Sequence, residues 1–306
     1  MDRYRTRIPP FQEDEARVRV TEVVKEVLPR GWQLRLKQIR YRQLQRRVKA
    51  LPPLNKSRFR QILQDDLQVQ PGEVLFVHSS VDHLHLDFPF FHMLVLLREA
   101  VGVEGTLVFP TYPELDSYKH LLTQPVFDVR KSPSYSGILT EFARRQRGAK
   151  RSLHPAKSVC ALGPLAEALT ATHHHSPYPY DRCSPYYQLV TYQARIIGVG
   201  VSTNRLAFVH TVDDALKADF PVQPYHERRF RVKCIDAAGQ DHWVETYAHN
   251  MHKMNHNVRR YMALHVPDTI CQDIERYGMA FFRADAARLF HHMIQNAQKG
   301  ITIYTV

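Results

Sequence analysis

The chain has 306 residues, of which 44% are hydrophobic, which suits one large or two modest folded domains and argues against disorder. No apolar run approaches the roughly 18 residues that span a bilayer, and the opening residues, MDRYRTRIPPFQEDEA, are too polar for a secretory signal peptide. We therefore expect a cytoplasmic protein whose four scattered cysteines are buried small side chains rather than disulfide partners.

The net charge of +12 is concentrated near the N-terminus. Residues 1–60 contain 17 Lys and Arg but only 6 Asp and Glu, so the rest of the chain is almost neutral. The basic pI is therefore no sign that the whole fold binds nucleic acid. We expect a basic helical N-terminal extension over residues 1–55 and an α/β domain over residues 56–306.

Two helices are predicted within the extension. Residues Glu13–Leu28 have valines at roughly helical spacing, and Trp32–Leu51 forms a basic amphipathic pattern that Pro52 and Pro53 end. One interpretation is a surface for an acidic partner such as lipid headgroups, a phosphorylated carrier or nucleic acid. The other is a helical extension that docks on the main body or on a second subunit.

Residues 56–306 alternate short apolar runs with helical patterns, which predicts a central mixed β-sheet flanked by helices. Strands are expected at Glu73–Val77, Thr106–Phe109 and Ala194–Val199, and a hairpin is expected from Arg229–Ile235 and His242–Tyr247. Helices are expected at Ser57–Leu67, Phe90–Val101, Gly137–Arg145, Ala161–Thr170 and His210–Ala218, with a mainly helical C-terminal segment at Ile270–Asn296.

Small hydroxyl residues follow the first predicted strand. Ser79 and Ser80 stand where a strand of an α/β sheet ends, so their hydroxyl and backbone N–H groups could meet an anion or a carbonyl oxygen. A plain connecting loop is the alternative interpretation.

Two histidine motifs carry acid–base chemistry. His154 precedes Pro155, which disfavours helical geometry at His154. A histidine in such an extended segment can present its ring in a cleft and act as a general base. A purely structural histidine is the alternative interpretation. His210 and Asp213 are one turn apart on a predicted helix. The carboxylate could orient a histidine elsewhere or interact with the helix dipole.

The order of these segments resembles the aminoglycoside 3-N-acetyltransferase family over about residues 58–265. The most specific part is Arg-Ser-x-His-Pro with the upstream Gly-Ile-Leu-x-Glu. The segments are Val77-His78-Ser79-Ser80, Gly105–Thr111, Phe127-Asp128, Gly137–Glu141, Arg151–Pro155, Ala161-Leu162-Gly163, Ser184-Pro185, Ile197–Gly200 and His210-x-x-Asp213.

The resemblance implies a distinctive α/β fold, unrelated to the GNAT acetyltransferases, that transfers acetyl groups from acetyl-CoA to a primary amine of an aminoglycoside or related aminosugar. It implies His154 as the catalytic base, oriented by Asp213 where the family has glutamate. It also implies Ser79 and Ser80 in the cofactor site, with nearby backbone N–H groups for the oxyanion. A small-molecule aminosugar substrate follows, and a homodimer is compatible with it.

Two departures from the family pattern keep an alternative open: Asp213 is one methylene shorter than glutamate, and residues 82–90 replace a Gly-Gly-Ala stretch. Residues 201–209 also match the family pattern poorly, and the basic extension is additional. The alternative is a catalytically impaired member that binds CoA or a sugar.

A zinc hydrolase is the rival enzyme class. The consecutive His173, His174 and His175 point in different directions and lack the His-x-x-x-His pattern, so we expect no metal site there.

Cys160 and Cys183 lack an activating neighbour in the sequence, which favours direct transfer of the acetyl group over a covalent cysteine intermediate. Carboxylates that could bind a cationic acceptor are Asp82, Asp87, Glu114, Asp116 and Asp214.

Overall fold

The computed structural model describes residues 30–251 and 256–306, and contacts divide the chain between residues 47 and 48. The helix predicted at residues 13–28 lies outside the described residues.

The second predicted helix is present as α1, Arg30–Lys49. Trp32, Ile39 and Tyr41 on α1 are all exposed. At 100° per residue, Trp32, Leu36 and Ile39 lie on one side of α1, within about 60° of one another, whereas Tyr41 points to the opposite side.

A seven-stranded mixed sheet forms the centre of residues 48–306, as predicted. Its strands are β1 Val74–Ser79, β2 Thr106–Pro110, β4 Lys150–Arg151, β5 Val159–Leu162, β6 Arg195–Val199, β9 Cys271–Arg276 and β10 Met279–Asp285; β3 Phe127–Asp128, β7 Tyr225–Ile235 and β8 Asp241–His249 form a second sheet. The order in the large sheet is β4-β5-β2-β1-β6-β10-β9, with β2, β1 and β6 parallel and the outer pairs antiparallel.

Helices cover both faces of the large sheet. Consecutive residues of β1 alternate between two hydrophobic clusters: Phe76 packs in the first and Leu75 in the second. This two-sided burial explains why β1 is a continuous apolar run.

Among the described residues no helix is both long and apolar enough to cross a membrane. The remaining helices are α2 Lys56–Gln61, α3 Phe91–Val101, α4 Ser117–Leu122, α5 Ile138–Arg144, α6 Ala166–Thr170, α7 Pro185–Thr191, α8 His210–Leu216, α9 Val258–His265 and α10 Ala286–Ala297; a π-helical turn, Ile62–Asp66, follows α2.

The second sheet has the order β3-β7-β8 and contains the predicted hairpin. The hairpin turns at Asp236, whose carboxylate accepts hydrogen bonds from the amides of Ala238 (2.8 Å) and Gln240 (2.9 Å). Phe230, Val232 and Val244 form its buried face. This sheet ends with His249 at the terminus of β8, which brings its ring within 4.8 Å of the His210 ring.

Two helix predictions were wrong. Ala161 and Leu162 belong to β5, which pairs with β2, and the helix there is confined to α6. The segment Ile270–Asn296 is a hairpin of β9 and β10 followed by α10. Tyr277 and Gly278 both have positive φ (54° and 72°), the conformation of a two-residue hairpin turn. Pairing of β10 with β6 outweighed the local helical preference of its alanines.

Candidate active site

The carboxyl ends of the parallel strands form one edge of the large sheet. The next strand in the chain, β2, lies on one side of β1 in the sheet, and β6 lies on the other side. The chain connections therefore run to opposite sides at the carboxyl end of β1. Such a switch point is where open α/β sheets bind ligands. Ser79 and Ser80 lie there, as the sequence predicts for residues after this strand.

The two serines offer different groups to a ligand. The Ser79 hydroxyl is buried and finds no hydrogen-bond partner among the described residues. The Ser80 hydroxyl lies 2.7 Å from Nδ1 of His83, and the Ser80 amide donates to the carbonyl of Val199 (2.9 Å). The Ser80 amide is therefore already used within the sheet, and the Ser79 hydroxyl is the unused polar group.

Gly200 lets the loops after β1 and β6 meet at this edge. Its φ is +72°, and a Cβ atom there would lie 2.4 Å from the carbonyl oxygen of Ser80. Only glycine satisfies both the left-handed backbone and this close approach.

The Arg151–Pro155 segment is held by a dense set of internal hydrogen bonds. The Arg151 guanidinium donates to the carbonyls of Thr111 and Ser132 and to the hydroxyls of Thr111 and Ser158. The Ser152 hydroxyl lies 2.8 Å from Nδ1 of His173, whose Nε2 donates to the Pro179 carbonyl (2.9 Å). These contacts give Arg151 and His173 structural roles, and they occupy both ring nitrogens of the first of the three consecutive histidines.

His154 lies fully buried, with both ring nitrogens occupied. Its Nδ1 accepts from the amides of Ala156 (3.2 Å) and Lys157 (3.0 Å). The proton must then sit on Nε2, which lies 3.2 Å from the Thr246 hydroxyl. Burial holds the pKa of His154 well below its usual range, helped by His173 and Lys157. In this arrangement His154 has no free lone pair with which to accept a proton.

Asp213 is paired with His210 rather than with His154. Its Oδ2 lies 3.0 Å from Nδ1 of His210 and accepts a hydrogen bond from the Tyr304 hydroxyl at 2.6 Å. Both members of the pair lie in the first turn of α8, and Asp213 is 3% exposed against 7% for His210. The structure therefore does not join the predicted pair of His154 and Asp213 by a hydrogen bond.

The His210–Asp213 pair has the geometry of a base with its orienting carboxylate. Burial lowers the pKa of His210 to about 3, and the nearby Lys157 ammonium acts in the same direction. Burial raises the pKa of Asp213 to about 8, opposed by the Tyr304 hydrogen bond and by His256, so the ionised carboxylate that accepts from Nδ1 of His210 predominates above that pH. With its Nδ1 proton donated to Asp213, His210 has its lone pair on Nε2, which no hydrogen bond among the described residues engages.

Lys157 contributes positive charge to the same region. Its ammonium lies 4.9 Å from the centre of the Tyr112 ring, and it forms no ion pair within the described part of the chain. Burial lowers the pKa of Lys157 to about 8, and Asp116 acts in the opposite direction. A partly charged ammonium therefore lies beside the histidines and favours anionic groups of a bound substrate.

The carboxylates considered for a cationic acceptor are dispersed. Asp214 is buried and accepts from the Tyr180 amide and the Tyr225 hydroxyl, each at 2.7 Å. Asp116 caps α4 through the Lys119 amide. Asp82 and Asp87 are exposed, and Glu114 borders a cavity of about 330 Å³ that Tyr135 and Arg151 also line.

Sequence reasoning missed three side chains at this site. Tyr304, His249 and Lys157 reach it from the C-terminal segment, from the end of β8 and from the turn after Pro155. No local pattern identifies Tyr304, because it lies 91 residues from the carboxylate that it contacts. The signal for His210 was present, since its i, i+3 spacing from Asp213 made it the nearest partner of that carboxylate.

Known proteins resemble the chain in both sequence and fold. The family model described as aminoglycoside 3-N-acetyltransferase matches residues 76–298. The aminoglycoside N(3)-acetyltransferase III of Acinetobacter baumannii is 30% identical over 169 residues, which cover 51% of this chain but only 58% of that protein. The type IV enzyme of a Salmonella species is 29% identical over 189 residues, 60% of this chain and 69% of that protein.

Solved structures give the same picture at the level of the fold. Aminoglycoside acetyltransferase AAC(3)-Xa has a TM-score of 0.70 at 20% identity, covering 87% of this chain and 99% of that one. AAC-IIIb in a binary complex with CoASH scores 0.65 at 20% identity (82% and 98%), and AAC-VIa bound to sisomicin scores 0.65 at 23% (82% and 99%). Because the family model matches well over half of the sequence, the chain belongs to the aminoglycoside 3-N-acetyltransferase family.

Proposed function

We propose that the protein is a cytoplasmic N-acetyltransferase that uses acetyl-CoA to acetylate a primary amine of an aminoglycoside or related aminosugar. Family membership supports the reaction class, and the names of the CoASH and sisomicin complexes of AAC-IIIb and AAC-VIa support the donor and the acceptor. The observation that carries the proposal is the His210–Asp213–Tyr304 hydrogen-bond set.

In this proposal His210 is the general base. The acceptor nitrogen attacks the thioester carbonyl carbon, the C–S bond breaks, and the nitrogen's proton passes to Nε2 of His210 and then to the departing thiolate. Asp213 stabilises the imidazolium that forms, as an orienting carboxylate does in other base–carboxylate pairs. Tyr304 fixes the carboxylate through its 2.6 Å hydrogen bond.

His154 is the competing base, on the strength of its motif. Its occupied ring nitrogens favour a different role, in which Nδ1 binds the two amides that follow Pro155 and so shapes the turn beneath the site. The shorter side chain of Asp213 is no obstacle in this role, because its partner His210 is one helical turn away and the two groups lie 3.0 Å apart. The catalytically impaired alternative therefore lacks its main support.

Ser79 is proposed to contact the donor. Its buried hydroxyl has no partner among the described residues and lies at the edge where β1 ends. Leaving a buried hydroxyl unpaired costs about 1–3 kcal/mol, and a hydrogen bond to the donor would remove that cost. Ser80 is assigned a supporting role, since its hydroxyl and amide are already engaged.

The experiment is a thiol-release assay with acetyl-CoA across a panel of aminosugars, comparing His210→Ala, His210→Gln and His154→Ala. Loss of a general base should lower kcat by about 10²- to 10⁴-fold, so we expect that loss for both His210 variants, with acetyl-CoA binding retained in calorimetry. His154→Ala should lower the unfolding temperature and keep measurable turnover below it.

Two outcomes would contradict parts of this proposal. A folded His154→Ala protein without turnover, beside an active His210→Ala protein, would make His154 the base. Absence of thiol release with every aminosugar, while acetyl-CoA binds, would exclude aminosugar acetylation itself.

A further inference from the structure

Three buried side chains bring metal-ligating atoms together at the end of the sheet. His210 and Asp213 come from α8, and His249 comes from the last position of β8. One ligand atom of each lies within 4.8 Å of those of the other two. All three are at most 7% exposed. The set of two imidazoles and one carboxylate is chemically suited to a transition-metal ion.

His249 supplies an independent sign that a ligand belongs there. Its Nε2 is buried and has no hydrogen-bond partner among the described residues. Its ring is fixed from two sides, stacked on Tyr225 with ring centres 4.6 Å apart and packed against His210 at 4.8 Å. Buried polar atoms are nearly always satisfied, so an unsatisfied nitrogen on a rigidly held ring, beside two other donor groups, calls for a bound partner.

The surroundings of the cluster resemble the outer shell of a metal site. Metal-ligating carboxylates are usually held by a further hydrogen bond that fixes their orientation. Tyr304 provides such a bond to Asp213 at 2.6 Å, and Tyr225, which stacks on His249, is itself held by Asp214 at 2.7 Å. The donor groups are therefore positioned before any ion arrives.

We propose that His210, Asp213 and His249 form a binding site for a divalent transition-metal ion, with zinc as the preferred ion. Zinc takes imidazole nitrogen and carboxylate oxygen at about 2.0–2.2 Å, and three protein ligands leave its fourth position open. The movements needed are small, because the donor atoms already lie within 4.8 Å of one another. This site is distinct from the consecutive histidines at 173–175, whose first member is engaged by Ser152 and Pro179.

Metal binding here has a direct consequence for catalysis, which rests on the proposed function. A zinc ion would bind the carboxylate of Asp213 and the Nδ1 atom of His210 that lies 3.0 Å from it. The ring proton would then lie on Nε2, so His210 could no longer accept the proton of the acceptor amine. Zinc should therefore inhibit acetyl transfer reversibly, and a chelator should restore it.

The test uses the 306-residue chain after chelator treatment and dialysis. Cobalt(II) is titrated while its visible d–d absorption is followed, and zinc is then added to displace it. We expect one equivalent of cobalt with the strong bands of a four-coordinate site, and complete displacement by zinc. His249→Phe keeps the aromatic stack on Tyr225 while removing the nitrogen, and should weaken binding at least about tenfold. His291→Ala, an exposed histidine of α10, is the matched control and should bind as the wild type does.

A second measurement separates this inference from the proposed function. The ratio of acetylation rates with and without zinc is compared in wild type and in His249→Phe, so the basal rate of the variant does not matter. Wild type should be inhibited at zinc concentrations at least about tenfold lower than the variant. His249→Gln repeats the comparison if His249→Phe fails to fold by circular dichroism.

Each result has a definite meaning. Absence of cobalt and zinc binding in wild type, or equal binding in a folded His249 variant, would overturn the metal site even if acetylation is observed. Metal binding that depends on His249, in a protein that acetylates no aminosugar, would support the site and reject the proposed function.

Discussion

Asp213 shows how one side chain can satisfy a role for which a longer one was expected. A carboxylate that must reach a histidine on another element needs length, whereas Asp213 and His210 share the first turn of α8. Side chains three residues apart on a helix are neighbours, so the shorter aspartate still makes a 3.0 Å contact. The position of the partner, not the length of the acid, decides whether the pair forms.

Tyr304 is expected to act as a positioning residue for this pair. Tyr304→Phe removes the 2.6 Å hydrogen bond to Asp213 and leaves the ring in place. We expect kcat to fall about tenfold with little change in KM, because a hydrogen bond to a charged group is worth about 1.5–3 kcal/mol and about 1.4 kcal/mol corresponds to tenfold in rate. Steady-state acetylation kinetics provide the measurement, with exposed Tyr135→Phe as the control. An unchanged kcat would show that the carboxylate needs no support from the C-terminal segment.

The residues of the site were only partly predictable from sequence. His154, Ser79, Ser80 and Asp213 could be named because each lies in a local motif. Their contacts could not, since the hydroxyl that meets Nε2 of His154 belongs to Thr246, 92 residues away. The side chains that bond to these histidines belong to distant elements of the chain. Their hydrogen bonds determine which histidine keeps a free lone pair.

At the scale of elements, Glu141 joins α5 to the segment before it. Its carboxylate accepts hydrogen bonds from the Ser134 amide (2.8 Å), from Arg144 (2.6 and 2.8 Å) and from Arg145 (2.6 Å). Burial raises the pKa of Glu141, but the hydrogen bonds from Arg144, Ser134 and Arg145 outweigh it and lower the pKa to about 2. The ionised carboxylate is therefore favoured in the folded protein.

Glu141→Gln should destabilise the protein in a pH-dependent way. The pKa of Glu141 in the folded protein lies below the usual glutamate value of 4.5. The contribution of the carboxylate to stability is therefore complete above pH 4.5 and disappears as the pH falls towards 2. We expect a loss of about 1–3 kcal/mol at pH 7 and a smaller difference from wild type at pH 3. Urea unfolding at both pH values measures it, with exposed Glu275→Gln as the control. A difference that is equal at both pH values would contradict the assignment.

Elements covered on both faces were the easiest to predict. β1, β2 and β6 lie inside the sheet and are continuous apolar runs, so their sequences indicate buried strands. The β9–β10 hairpin was missed because Gln272, Asp273 and Glu275 interrupt any simple alternation and β9 lies at the sheet edge. Its structure depends on pairing with β6, which local sequence does not record.

At the scale of the whole molecule, charge is divided unevenly along the chain. Helix α1 contains eight Lys and Arg and no Asp or Glu, whereas the chain after residue 60 is almost neutral. A helix that lies in a membrane surface needs an apolar face without charges. On α1 the exposed Arg35, Arg46 and Arg47 lie within about 60° of Trp32 around the axis, among the exposed apolar side chains. An extended polyanion such as nucleic acid suits this distribution better, because it can contact basic groups along the helix.

Charge reversal on α1 should therefore abolish binding to single-stranded nucleic acid and leave acetyl transfer unchanged. We expect wild type to bind a labelled oligonucleotide in fluorescence anisotropy, with log K falling linearly against log salt by about 0.7 for each phosphate contacted. The variant changes three exposed arginines of α1 to glutamate: Arg35, Arg42 and Arg46. Its control makes the same change at three exposed basic residues elsewhere: Lys131, Arg147 and Lys299. Equal binding by the two triple variants would show that α1 makes no specific contribution. Stronger binding of wild type to anionic vesicles than to the oligonucleotide would instead favour a membrane surface as the acidic partner.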